Sequence, residues 1–118
     1  MAFLTIEEAK AYLRVDSDFE DGLIASLVSA SEALCMDVAR LTAEEWAAIS
    51  DYTSDSGQSL TIRSEEKSEG EVLQTKELLR VGVLYTLGYL HEHREEADYH
   101  DLVLTLRNLL FSVREGVV

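Results

Sequence analysis

Proline is absent from all 118 residues, so no position carries the ring that removes an amide donor and breaks helices. Cysteine occurs once, as Cys35, which excludes an intrachain disulfide framework and the staples that small secreted domains rely on. Synthesis in a reducing cytosol is the expectation. Cations are scarce: 10 Lys and Arg stand against 23 Asp and Glu, a formal charge of -13 that repels a phosphate backbone. The balance argues against gripping nucleic acid and leaves open an acidic passage through which DNA slides. No apolar run approaches the roughly 20 residues of a membrane-spanning helix. The start, Met1-Ala2-Phe3-Leu4-Thr5, meets Glu7 and Glu8 without the basic and apolar segments of an export signal. A soluble chain with no membrane association is expected.

Catalytic signatures are missing as well. There is no glycine-rich phosphate loop, no Gly-x-Ser-x-Gly elbow and no calcium loop of alternating acids with a turn glycine. His91 and His93 stand two apart on a predicted helix and point in different directions, and with His100 they read as surface or capping residues rather than ligands. Cys35 lies on an apolar stripe with no flanking base, which favours a buried structural thiol over a nucleophile. Asp16, Asp18, Glu20 and Asp21 are dense enough to suggest a cation site, but a helix N-terminus collects acids through its dipole without one. No cofactor and no metal are expected.

What is present is helix. Apolar residues make up 47% of the chain, enough for one modest core over 1-118, and they recur at three- and four-residue intervals. The fold class is all-α, a bundle of about five helices. Thr5 and Glu8 form a capping box for a helix from Ile6 to Leu13, with Leu4 and Ala9 as its staple. Ser17 and Glu20 form a second box, opening a helix to Ala39 on which Phe19, Leu23, Leu27, Leu34 and Val38 make a stripe that Ile24, Val28 and Cys35 widen. Arg40 follows, where a cation suits the dipole. A third box, Thr42 with Glu45, starts a short helix whose Trp46 and Ile49 cover the core.

From Ser50 to Gly70 the composition is polar and acidic, and a mobile loop is expected. Within it, Leu60-Thr61-Ile62-Arg63 alternates as a short strand or hairpin arm would, particularly if another subunit supplied a pairing edge. Ser68 and Glu71 form a fourth box before the long central helix, Val72 to Arg94, about 33 Å in length and apolar on much of its circumference, Val81 included. Gly82 and Gly88 on it allow another helix to approach closely, or matter little. Asp98 caps a final helix from Tyr99 to Arg114, with Leu102, Leu106, Leu109, Leu110 and Val113 inward and Gly116 to end it. Tyr12, Tyr85, Tyr89 and Tyr99 suit either a core or an interface. Within the charge cluster Glu92, Arg94, Glu95, Glu96 and Asp98, Arg94 is the residue whose planar fork could tie carboxylates across an interface.

The opening, Leu4-Thr5-Ile6-Glu7-Glu8-Ala9-Lys10-Ala11-Tyr12-Leu13-Arg14-Val15-Asp16 followed by Asp21-Gly22-Leu23-Ile24, resembles the start of the tailed-bacteriophage head–tail connector family of ring-forming head-completion proteins. The segment from Leu78 to Glu96 is similar to that family's long helix, and Leu109-Leu110-Phe111-Ser112-Val113-Arg114 to its closing helix. The blocks run in the expected order over nearly the full chain. Between Tyr52 and Glu71, where relatives often carry a proline before the long helix, this chain has none.

The resemblance implies a helical protomer, often prophage-encoded, that joins about a dozen copies into a closed ring beneath the portal protein. Such a ring extends the DNA channel of the virion at the head–tail junction and presents a surface to the next connector or tail-completion protein. It is made in the bacterial host cytoplasm and implies no catalysis. DNA would pass an acidic lumen without specific binding. Candidate oligomer or partner contacts are Tyr89, Arg94 and Glu95 at the end of the long helix, and Leu60, Ile62 and Arg63 of the arm. The alternative is an acidic helical binding module, a DNA mimic or host-factor inhibitor that occupies a basic protein surface. An enzyme with a metal between helices is the third class.

Overall fold

The computed structural model describes residues 3–16, 18–53, 59–62, 65–92 and 100–115. Its elements are α1 (Ile6–Leu13), α2 (Asp21–Val38), α3 (Ala43–Asp51), β1 (Leu60–Ile62), β2 (Glu65–Lys67), α4 (Glu69–Glu92), α5 (His100–Leu109) and α6 (Phe111–Glu115). The protein is mostly helical, with one small antiparallel hairpin between helices.

Local chemistry starts three of the helices. The Glu8 amide donates to Thr5 Oγ1 at 3.1 Å and the Thr5 amide to Glu8 Oε1 at 3.0 Å, which satisfies reciprocally two donors that a helix start leaves orphaned. Thr42 and Glu45 repeat the pattern at 2.9 and 3.1 Å. Ser68 and Glu71 do so at 3.1 and 3.4 Å, so α4 starts at Glu69 rather than Val72 and runs about 36 Å.

α2 starts later than the second expected box places it. That helix starts after Glu20, whose side chain makes no capping bond, and Ser17 lies outside the described residues. Lys10 of α1 instead holds this end, meeting Asp18 at 2.8 Å and Asp21 at 2.9 Å. The later start strands Phe19, which is 94% exposed, and Leu23 is only partly covered. The inward row is Ile24, Val28, Ser31, Cys35 and Val38, a few residues round from the expected stripe centre.

Two helix ends use a left-handed residue without glycine. At Arg14 (φ 60°) the amides of Arg14 and Val15 return to the carbonyls of Ala11 and Lys10. At Arg40 (φ 58°) those of Arg40 and Leu41 return to Asp37 and Met36. Both patterns are Schellman closures, and Leu41 is buried as the apolar residue that follows such a turn.

The expected mobile loop contains structure. β1 pairs with β2 in the register Leu60↔Lys67, Thr61↔Glu66 and Ile62↔Glu65, so the pairing edge comes from the same chain rather than another subunit. Ile62 is buried and Thr61 exposed, the alternation of a strand laid on a core.

α4 is the spine. Val72, Leu79, Val83, Leu87 and Leu90 are buried along it, whereas Val81 is 48% exposed and stands outside the expected apolar arc. Both glycines face neighbours: a Cβ on Gly82 would lie 3.4 Å from Leu110 and 3.5 Å from Cys35 Sγ, and one on Gly88 3.3 Å from the Tyr12 ring. Neighbouring side chains thus pack on both glycines, most tightly Tyr12 on Gly88. The expected single last helix is interrupted at Leu110, although 2.8 Å hydrogen bonds from the Leu110 amide to the Leu106 carbonyl and from the Arg114 amide to the Leu110 carbonyl carry it across. Leu102, Leu106, Leu110 and Val113 point inward, while the expected cap Asp98, and Tyr99 and Gly116, lie outside the described residues. With extents of 42 × 31 × 19 Å, the molecule is about two helix diameters thick, and its core is the single layer between them.

Candidate interaction surface

A polar tie joins the N-terminal segment to three helices. Glu32, on the flank of the buried row of α2, accepts from the Phe3 amide at 3.2 Å and from Trp46 Nε1 at 3.1 Å through one oxygen, Oε1. The Phe3 and Trp46 rings meet edge to face with centroids 4.6 Å apart, a favourable quadrupole geometry. From α4, Arg80 donates to the Phe3 carbonyl at 3.3 Å and to Glu8 Oε2 at 3.1 Å. Glu8 is thereby held below its ordinary pKa, first by the Thr5 amide, against the cost of burial, and then by Arg80. Neither Glu32 nor Arg80 was expected to act. The available signal was positional: Glu32 stands between Val28 and Cys35 on an otherwise apolar flank.

Between α2 and α4, Cys35 is fully buried, with its sulfur 3.5 Å from Thr86 Oγ1. Burial raises the thiol to about 11, with the Thr86 contact opposing and the Glu32 charge adding to the rise. At neutral pH it is a thiol and not a nucleophilic thiolate. The acidic cluster ahead of α2 is engaged by Lys10, which holds Asp18 below its usual range through a hydrogen bond and charge. His91 is half-buried and its Nε2 meets no hydrogen-bonding partner, His93 lies outside the described residues, and the His100 side chain is likewise not described. Among the described residues, no group of three or more His, Cys, Asp or Glu side chains gathers as a metal would require, and no single helix is long and apolar enough to cross a membrane.

The candidate contacts divide. Leu60 and Tyr89 are half-buried against the core, and Ile62 is 4% exposed within it. Core packing thus takes much of the area that a partner would need. Arg63, Arg94 and Glu95 lie outside the described residues. Exposed apolar area is found elsewhere, at Tyr12, Val81 and Tyr85 on α1 and α4, at Phe19 and Leu23, and at Leu104 and Phe111 on the last helices.

No protein-family model matches the chain, and neither the curated proteins nor the solved structures give a match.

Proposed function

We propose that this chain is a ring-forming connector subunit of a tailed-bacteriophage head–tail junction, structural and without a catalytic step, which extends the DNA channel from the portal toward the tail. The observation that carries the reading is how the connector-like blocks are arranged. Far apart in sequence, they pack on one another: Glu8 meets Arg80, Tyr12 covers Gly88, and Leu110 covers Gly82. Each contact joins one resembling block to another, so the likeness follows one packed unit rather than unrelated surface segments. The acidic balance fits a lumen that DNA slides past, because adhesive phosphate contacts require Lys and Arg.

Electron microscopy of the purified protein with its cognate portal tests this. A ring seated on the portal is expected. A chain that stays monomeric at high concentration and also fails to associate with the portal overturns it. Selective capture of a basic nucleic-acid enzyme would instead favour the acidic binding module, for which the charge of -13 is the supporting observation.

A further inference from the structure

Residues 3–13 form an arm that is fastened more than it is buried. Within α1 only Ala9 is fully enclosed, with Phe3 and Leu4 buried ahead of it. The fastenings reach three other helices. Phe3 donates to Glu32 of α2 and meets Trp46 of α3 edge to face, Arg80 of α4 holds the Phe3 carbonyl and Glu8, and Tyr12 lies against Gly88. The seat thus belongs to α2, α3 and α4, and the arm reaches it through a connector, residues 14–20. Fully extended, that connector spans at most roughly 25 Å, more than the 19 Å thin dimension of the molecule. Arg14, its first residue, is held left-handed at φ 60°, a conformation that an extended connector relieves at the loss of the two amide bonds closing α1. Exposed apolar side chains flank the same hinge: Tyr12 at 49%, Phe19 at 94% and Leu23 at 39%.

We propose that copies of this chain exchange the arm: residues 3–13 of one copy fill the seat on α2, α3 and α4 of a second. The occupant is fixed by the seat, which already holds Phe3, Glu8 and Tyr12 at their spacing in this sequence. Exchange breaks and remakes the same contacts, so the burial of Phe3 and Leu4 and the Glu8–Arg80 pair cancel between the closed and exchanged forms. The balance then lies at the hinge. Relief at Arg14 favours opening, and where connectors pass from copy to copy Phe19 and Leu23 gain cover that the closed chain does not give them. An arm passed back to its donor makes a pair, and arms passed onward make a closed ring. The inference supplies a joint for the ring proposed above without resting on it, because arms can be exchanged by copies that never meet a portal.

The test uses the full chain in isotopically light and heavy forms, mixed, taken together through urea and concentrated. A carbodiimide joins Lys10 of the arm to Asp21 of α2, which lie 2.9 Å apart. In the oligomer fraction, Lys10–Asp21 crosslinks with one light and one heavy half are expected. A second measurement needs no parent oligomer. Glu8→Arg and Arg80→Glu each set like charges together in a closed chain, and only an arm of the first on a seat of the second restores the pair. Co-expressed, the two should form severalfold more mixed species by native mass spectrometry than either forms alone, whereas Glu7→Arg, at an exposed neighbouring position, should not replace Glu8→Arg. Crosslinks of like isotope only overturn the proposal, as does a co-expressed pair that stays the sum of its parts or an equal yield with Glu7→Arg. A ring seated on the portal with only like-isotope crosslinks would overturn the exchange and leave the connector reading standing. Mixed crosslinks without portal binding would do the reverse.

Discussion

Glu32 offers one oxygen to two donors that sit on different parts of the chain, the Phe3 amide and the Trp46 indole. A partly buried donor that loses its acceptor costs about 1–3 kcal/mol, more than an ordinary hydrogen bond contributes net. Glu32→Ala orphans both donors and should lower stability by about 2–4 kcal/mol, whereas Glu32→Gln keeps a carbonyl acceptor and should cost less. Urea unfolding followed by the emission of the only tryptophan measures both, and equal stability of Glu32→Ala and the parent would mean that water replaces the tie. Glu8 sets a pH dependence. Its folded pKa is lowered from the ordinary 4.5, so its contribution is fully present above that value and is lost as pH falls through the lowered folded value. Glu71, held down by its bonds to Ser68, acts in the same direction. The urea midpoint should therefore fall as the pH is lowered from about 5 through the carboxylate range. Glu8→Gln should show a shallower fall over that window, and an unchanged slope would remove Glu8 from the account.

Helix starts were more legible than helix ends. A capping box is chemistry within four residues, so Thr5, Thr42 and Ser68 announce α1, α3 and α4 without help from the rest of the fold. The start of α2 was less legible: Ser17 lies outside the described residues, and the helix begins at Asp21, beside the Lys10 contacts from another element to Asp18 and Asp21. Its apolar arc is broad, and a broad arc has no sharp centre, so the sequence alone could not choose the row through Ile24 over the row through Leu23. Arg14 and Arg40 hid the Schellman ends because the usual signal is a glycine. The left-handed conformation costs an L-residue roughly 1 kcal/mol that glycine avoids. Arg14→Gly, at an exposed position, should therefore raise stability by about 0.5–1 kcal/mol, visible as a melting temperature higher by a few degrees. A decrease would mean that the Arg14 side chain contributes more than its backbone strain costs. The candidate contacts were less legible than the helices. Alternation marks Leu60 and Ile62 as sharing a face, but only the packed fold reveals that the face is turned to the core.

At the scale of the whole molecule, charge and thickness act together. Each copy carries -13, and at 19 Å across its thin dimension it leaves no acidic surface far from a neighbour packed beside it. Two such copies repel beyond contact, over a Debye length of about 10 Å at 0.1 M salt and about 3 Å at 1 M. Any seam between copies must therefore form from apolar area such as Phe19, Leu23, Leu104 or Phe111 against that repulsion. Self-association should accordingly strengthen as salt rises from about 0.05 M to about 0.5 M, read by sedimentation velocity at fixed protein concentration. Association between copies that weakens with salt would place ion pairs in the seam and would return attention to Arg94 and Glu95, which follow α4 in the sequence.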